Sequence, residues 1–159
     1  MNNIELINFT ELNLSEVKMV LKWRNNPDVR KWMYNQDEIL LENHLAFIKS
    51  LKSKKDKLYF LVKKNNEYIG VIDFNNIKDQ SLIMGIYTNP SIKGFGKILL
   101  ENIINYSFDV LKVKKIFSEV FSENTKAYEL YKKYNFIKTD IKIVNNKEVI
   151  CMELKNENR

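Results

Sequence analysis

The chain has 159 residues, 45% apolar and 29% charged, with a formal net charge of +6. That balance suits one folded domain with a sizeable core and excludes a disordered or low-complexity chain. No apolar run is long enough for a membrane span, the first residues carry no basic-then-apolar signal, and the single Cys151 excludes an internal disulfide framework, so a cytoplasmic protein is expected.

Residues 4–9 alternate well enough to predict a first strand. Ser15 is the candidate N-cap of a helix ending near Asn25, with Val17, Val20, Leu21 and Arg24 at helical spacing. Asn26-Pro27-Asp28 breaks that helix, and 29–34 reads as a helical turn or a loop. A second helix is expected over 40–52. The period then changes to two. Strands are predicted over 58–63 and 67–74, joined by the Asn65-Asn66 turn, and a third over 81–87. A helix over about 95–111 carries Leu99, Ile103, Tyr106 and Val110 on one face. A strand follows over 115–121, then a helix from Asn124 to about Tyr134. Two last strands, 136–143 and 148–154, flank the Asn145-Asn146 turn. This order predicts a single α/β (mixed α+β) domain over 1–159, in three layers around one central sheet. The unit 81–121 should be a right-handed parallel crossover.

The chain has four glycines, and two of them sit in Lys93-Gly94-Phe95-Gly96-Lys97 between a strand and a helix. Glycine there supplies either positive φ or close approach of a ligand. The first N–H groups of a helix lack partners and carry the positive end of its dipole, so an anion site is expected. A Walker A loop is excluded, because Ser91 stands where its first glycine belongs and Ile98 where its Ser/Thr belongs. A dinucleotide fingerprint is excluded by Leu99 at its third glycine.

Asn124 follows Gly96 by 28 residues and opens Asn124-Thr125-Lys126-Ala127-Tyr128-Glu129-Leu130-Tyr131, with Phe136 beyond. Together, the Ser91-Ile92-Lys93-Gly94-Phe95-Gly96 loop and this segment resemble the GNAT superfamily of acyl-CoA-dependent N-acetyltransferases. Ser91 departs from the family's leading Gln/Arg, and Asn135 from its usual glycine before Phe136. The resemblance implies a mostly antiparallel mixed sheet with one splayed parallel pair and helices on both faces. It implies acetyl-CoA as co-substrate and no metal. The pyrophosphate would lie on the N–H groups of Lys93, Gly94, Phe95, Gly96, Lys97 and Ile98. The pantetheine arm would run beside strand 84–88, with the oxyanion held near Ile86 and Tyr87. Asn124 would help to hold the arm, and Tyr131 would act as general acid toward the thiolate. A phenol keeps its proton at neutral pH, which suits that role.

The N-terminal third carries both tryptophans, Arg24, Arg30, Tyr34 and the only histidine, His44. Arginine suits phosphate and aromatic rings stack on bases, so a nucleotide-linked acceptor is expected. The segments Phe9-Thr10-Glu11-Leu12-Asn13, Trp23-Arg24-Asn25, Trp32-Met33-Tyr34, His44-Leu45, Phe47-Ile48, Gly70-Val71-Ile72-Asp73-Phe74 and Ile86-Tyr87 add a closer likeness. They resemble the UDP-4-amino-sugar N-acetyltransferases of bacterial pseudaminic acid biosynthesis, whose product sugar decorates flagellin. That resemblance implies UDP-amino-sugar binding by Arg24, Met33, Tyr34, His44, Phe47 and Tyr87. It places Glu119 near the sugar, with Glu119 and His44 the candidates for base. It implies no nucleic-acid or membrane partner and leaves a homodimer open. Two other readings remain: a GNAT enzyme acting on a protein N-terminus or a ribosomal protein, and a non-catalytic nucleotide-binding module.

Overall fold

The computed structural model describes residues 3–159. Seven strands form one sheet: β1 Ile4–Asn8, β2 Leu58–Lys64, β3 Glu67–Lys78, β4 Ser81–Thr88, β5 Lys115–Phe121, β6 Ile137–Val144 and β7 Lys147–Lys155. Their order is β1-β2-β3-β4-β5-β7-β6, and every neighbouring pair is antiparallel except β4 and β5. The α-helices are α1 Leu14–Asn25, α2 Pro27–Arg30, α3 Leu41–Ser50, α4 Gly96–Asn105 and α5 Thr125–Lys133. The expected three-layer mixed sheet with a parallel pair is the observed fold.

Local chemistry sets the element ends. Asn13, not Ser15, caps α1: Glu16 N–H donates to Asn13 Oδ1 at 2.8 Å, and Asn13 N–H donates back to Glu16 Oε1 at 3.0 Å. This reciprocal capping box satisfies two orphan donors, which Ser15, two residues inside the helix, cannot do. The break at 26–28 is also a start. Asn26 Oδ1 accepts from Asp28 N–H, and Pro27 opens the short α2, so the segment left open at 29–34 begins as helix and ends as turn. The 95–111 helix is α-helical only to Asn105 and closes in a π turn over Tyr106–Val110. Strand β3 runs past Phe74 to Lys78 because it keeps pairing with β4 through a bulge after Asn75. Asn65-Asn66 and Asn145-Asn146 take positive φ at both residues, the backbone of a two-residue hairpin that matches strand twist.

The sheet is covered on both faces. Under α4 and α5, Leu99, Leu100, Ile103, Tyr131 and Phe136 pack with Ile72, Phe74, Leu82, Ile116 and Met152. Under α1 and α3, Val17, Val20, Trp23 and Ile48 pack with Leu61 and Val71. No helix among the described residues is long and apolar enough to cross a membrane.

The parallel pair controls the site. β4 and β5 are in register only at Ser81 with Lys115, Leu82 with Ile116 and Ile83 with Phe117. Beyond Ile83 and Phe117 each strand continues without the other, so the sheet opens in its middle. At the level of the opening, Tyr59 pairs with Asp73 and Asp73 with Gly85; on the far side Glu119 pairs with Cys151.

Candidate active site

At the top of the opening, β4 turns into the loop before α4. Gly94 has φ of +89°, and a Cβ built there meets no atom within 4 Å. Glycine is therefore required by the left-handed backbone, in open space. Gly96 carries no such demand; its Cβ would lie 3.5 Å from Leu130, an ordinary packing distance against α5. Side chains cap α1, α2 and α5, but Phe95 gives α4 no side-chain cap. The first intrahelical bond reaches Phe95 O from Leu99 N–H at 3.0 Å. The N–H groups of Gly96, Lys97 and Ile98 thus stand at a helix start with no capping side chain, the arrangement that favours an anion. Lys93 and Lys97 are exposed beside them, and Lys64 Nζ lies 5.9 Å from the Phe95 ring centre. Lys64, on β2, escapes a reading of the loop alone. Ser91 N–H donates to Asn89 Oδ1 and Asn89 Nδ2 to Tyr68 O, which ties the loop back to β3.

Below the loop, Ile86 and Tyr87 occupy β4 past its last pairing with β5, so the strand edge facing the opening has no strand partner there. Asn124 caps α5, its Oδ1 accepting from Ala127 N–H at 3.4 Å. Tyr131 lies within α5, 6% exposed and 5.8 Å from the Phe136 ring. Its carbonyl accepts from the N–H groups of Tyr134 and Phe136, with Asn135 at φ +73° between them. Asparagine therefore does take the left-handed place of the family's glycine. The Tyr131 hydroxyl has no hydrogen-bond partner among the described residues. Burial, reinforced by the Asp73 carboxylate, raises its pKa well above the usual phenol value.

The residues expected to bind the acceptor gather mainly around α1 and α3. Arg24 Nη2 donates to Asn35 O at 3.0 Å, while Nη1 is buried and unpartnered. His44 is 5% exposed, and its Nε2 is also buried without a partner. Burial lowers the His44 pKa, with the Arg24 charge pushing the same way and the Val17 backbone opposing, so the ring is neutral at pH 7. Phe47 packs edge-on to Tyr59 at 5.0 Å between ring centres. Burial raises the Tyr87 pKa, with the Asp73 carboxylate adding to the rise and the Arg24 charge opposing it. Met33 is half-buried on the turn that carries Tyr34. Trp23 is core, packed under α1, so it is not available to stack on a ligand.

Glu119, on β5, is gripped from two directions. Tyr34 Oη donates to its Oε1 at 2.5 Å, and Lys142 Nζ donates to its Oε2 at 2.9 Å. Asn145 Nδ2 donates to Tyr34 O, and the Tyr34 ring meets Phe121 edge-on, so the long loop before α3 is fastened to β5 and the β6–β7 turn. Burial and the Glu119 carboxylate raise the Tyr34 pKa, and Glu119 raises that of Lys142. Lys142 is absent from the sequence reading, since nothing local links it to residue 119. Asp73 is a second omission with a readable signal: one acid inside the apolar run Gly70-Val71-Ile72-Asp73-Phe74. No group of three His, Cys, Asp or Glu among the described residues is arranged to hold a metal ion.

A parted parallel pair, an uncapped glycine turn above it and a buried phenol beside it define an acyltransferase of the CoA-dependent kind. Residues 18–136 match the Acetyltransferase (GNAT) family, and the chain belongs to that family. It is an acetyltransferase, of the class that takes its acetyl group from acetyl coenzyme A. Among particular proteins, it is 45% identical over 133 residues to Acetyltransferase PseH of Campylobacter jejuni (strain 81-176), covering 84% of each chain. The crystal structure of C. jejuni N-acetyltransferase PseH in complex with acetyl coenzyme A superposes with a TM-score of 0.80 at 38% identity. It covers 96% of this chain and 99% of that one. Spermidine N-acetyltransferase from Vibrio cholerae, solved with CoA and spermine, shares the fold at a TM-score of 0.87 and 19% identity, covering 99% of this chain and 96% of its own.

Proposed function

We propose that this chain transfers the acetyl group of acetyl-CoA to the 4-amino group of a UDP-linked 4-amino-4,6-dideoxy sugar. The acceptor is UDP-4-amino-4,6-dideoxy-N-acetyl-β-L-altrosamine, and the step belongs to pseudaminic acid biosynthesis for flagellin glycosylation. The reaction is assigned to the cytoplasm. The reading is supported above all by the pair of buried, unpartnered nitrogens, Arg24 Nη1 and His44 Nε2, on the acceptor side of the opening. A buried guanidinium N–H and a buried ring nitrogen without partners cost stability unless a ligand satisfies them. A fixed cation and a neutral imidazole together suit a nucleotide sugar, which is anionic and rich in hydroxyls. The similarity to PseH supports the same substrate class.

Acetyl-CoA supplies an activated acyl group as a thioester. The Gly94 loop and the N–H groups of Gly96, Lys97 and Ile98 hold its pyrophosphate, with Lys93, Lys97 and Lys64 as the surrounding positive charge. The free edge of β4 from Met84 to Thr88 takes the pantetheine arm as an added strand. Asn124 contacts that arm through its Nδ2, since its Oδ1 is spent on the helix cap. Backbone N–H groups near Ile86 and Tyr87 hold the carbonyl oxygen as charge develops on it. The neutral amine attacks, the C–S bond breaks, and Tyr131 gives its proton to the sulfur. Arg24 binds the diphosphate; Met33, Tyr34, His44, Phe47 and Tyr87 line the sugar and base, and Glu119 orients the sugar.

Mass spectrometry tests the proposal. UDP-4-amino sugars, spermidine and amino-terminal peptides are incubated separately with acetyl-CoA and the protein. A gain of one acetyl group on the UDP-4-amino sugar is expected. Acetylation of a peptide with every UDP-sugar unchanged would overturn the acceptor assignment in favour of a protein substrate.

A further inference from the structure

The opening between β4 and β5 has a carboxylate on each side, and the two are held differently. Gly85 and Glu119 each lie two residues past the last paired position, Ile83 with Phe117, so they face each other across the gap. Beside Gly85, in register on β3, is Asp73. A Cβ at Gly85 would collide with the Asp73 carboxylate. The absence of a side chain at 85 is thus what lets that carboxylate lie over β4 at the rim of the opening.

Glu119 is poorly placed to take a proton. Its two oxygens are both engaged, by Tyr34 Oη and by Lys142 Nζ. His44 is disfavoured as an acceptor by burial and by Arg24. Asp73 has neither restraint. It is 8% exposed, and its one hydrogen bond among the described residues comes from Asn75 Nδ2 to Oδ1 at 2.7 Å. Asn75 Oδ1 accepts in turn from Lys57 Nζ at 2.9 Å and Tyr59 Oη at 3.2 Å. The only lysine that influences the carboxylate therefore reaches it through a neutral amide. The other ionisable groups around it are Tyr59 on β2, Tyr87 on β4 and Tyr131 on α5, with Arg24 of α1 beyond them, near Tyr59 and Tyr87.

We infer that Asp73 is the group that takes the proton from the acceptor's ammonium before acetyl transfer, through its oxygen not bonded to Asn75. The inference rests on acetyl transfer to an amine, as proposed above, but not on which amine. The protons balance. R–NH3+ and the Asp73 carboxylate give R–NH2 and the Asp73 acid. The amine nitrogen forms its bond to the carbonyl carbon, and the C–S bond breaks with both electrons on sulfur. Tyr131 protonates the sulfur, and its phenolate recovers the second proton lost by the nitrogen. Asp73 then releases its proton to solvent. Burial lifts the Asp73 pKa to about 7, with Asn75 and Lys57 opposing, so its basicity is matched to neutral pH.

The test is a pH profile of kcat/KM for the amine that the wild-type protein turns over best, whether the UDP-sugar or another member of the panel. Wild type should rise through a limb near pH 7. Asp73→Asn should lose on the order of 100-fold at pH 7 and recover only as the free amine deprotonates, with acetyl-CoA affinity unchanged. Lys57→Met removes a charge that favours the carboxylate, so it should move the limb to higher pH. Carbon-13 NMR of the Asp73 carboxyl in the ligand-free protein should titrate near neutrality. A wild-type profile in Asp73→Asn, an unmoved limb in Lys57→Met, or a carboxyl midpoint below about 5 would each overturn the inference. Failure on UDP-sugars alone, with these results on another amine, would overturn only the acceptor assignment.

Discussion

Replacing Asp73 by Asn should stabilise the protein by an amount that grows with pH. The folded carboxyl holds its proton up to about pH 7, whereas the unfolded one loses it near 3.8. Folding therefore takes up a proton between those values. The favourable contribution is complete below about pH 3.8 and is lost as pH rises through 7. By linkage, keeping Asp73 buried costs the fold on the order of 4 kcal/mol at pH 8 and about 2 kcal/mol at pH 5. Asparagine has nearly the same shape and still accepts from Asn75 Nδ2, so its packing effect is constant with pH. The difference between pH 5 and pH 8, about 2–3 kcal/mol, is what the substitution isolates. For a chain of this length each kcal/mol moves the melting temperature by roughly 2–4 °C. Calorimetric or circular-dichroism melts from pH 5 to 8.5 should show the variant gaining roughly 5–10 °C on wild type across that range. A constant difference, or one that narrows as pH rises, would refute the account of Asp73 as a buried, weakly compensated acid.

Tyr131→Phe should lower kcat by about 10²–10⁴ with the acetyl-CoA dissociation constant unchanged, read by thiol release and calorimetry. Because the hydroxyl leaves no partner behind, its melting temperature should stay within a few degrees, and an unchanged kcat would remove Tyr131 from the mechanism. Gly94→Ala forces alanine into φ +89° at a cost of about 1–2 kcal/mol, and it should raise KM for acetyl-CoA more than KM for the acceptor; equal effects on both would detach the loop from CoA. Gly85→Ala must displace the Asp73 carboxylate, so it should destabilise by about 1–3 kcal/mol and reproduce the pH profile of Asp73→Asn. Lys142→Met removes a partly exposed ion pair worth at most about 1 kcal/mol, so thermal melts should barely change while KM for the acceptor rises; a change in KM for acetyl-CoA instead would place Glu119 on the wrong side of the opening.

Much of the fold was legible because its signals are local. Alternation marks the strands, the Asn-Asn pairs mark two hairpins, and the chain between residues 81 and 121 reads as strand, glycine loop, helix and strand. The residues proposed to hold acetyl-CoA could be named for the same reason: Lys93 to Ile98 are contiguous, and Asn124 and Tyr131 lie within one helix and its cap. Ends were less legible. Asn13 displaced Ser15 because a reciprocal cap needs Glu16 three residues on, and β3 outran Phe74 because pairing with β4 overrode its polar sequence. The acceptor side depends on distance along the chain. Arg24, Tyr34 and His44 were visible as residue types, but their relations to Asp73, Glu119 and Lys142 were not.

The amino-acid sequence by itself determined a mixed α/β fold around one sheet, a glycine turn at a helix start and the places of Asn124 and Tyr131 on one helix and its cap, because hydrophobic period and backbone chemistry act over a few residues. Only the tertiary structure decided that β4 and β5 part after three pairs, that Gly85 makes room for Asp73, and that Glu119 is tied to Tyr34 and Lys142. Those facts depend on strand register and burial, which arise when segments up to about a hundred residues apart share one sheet and exclude water together.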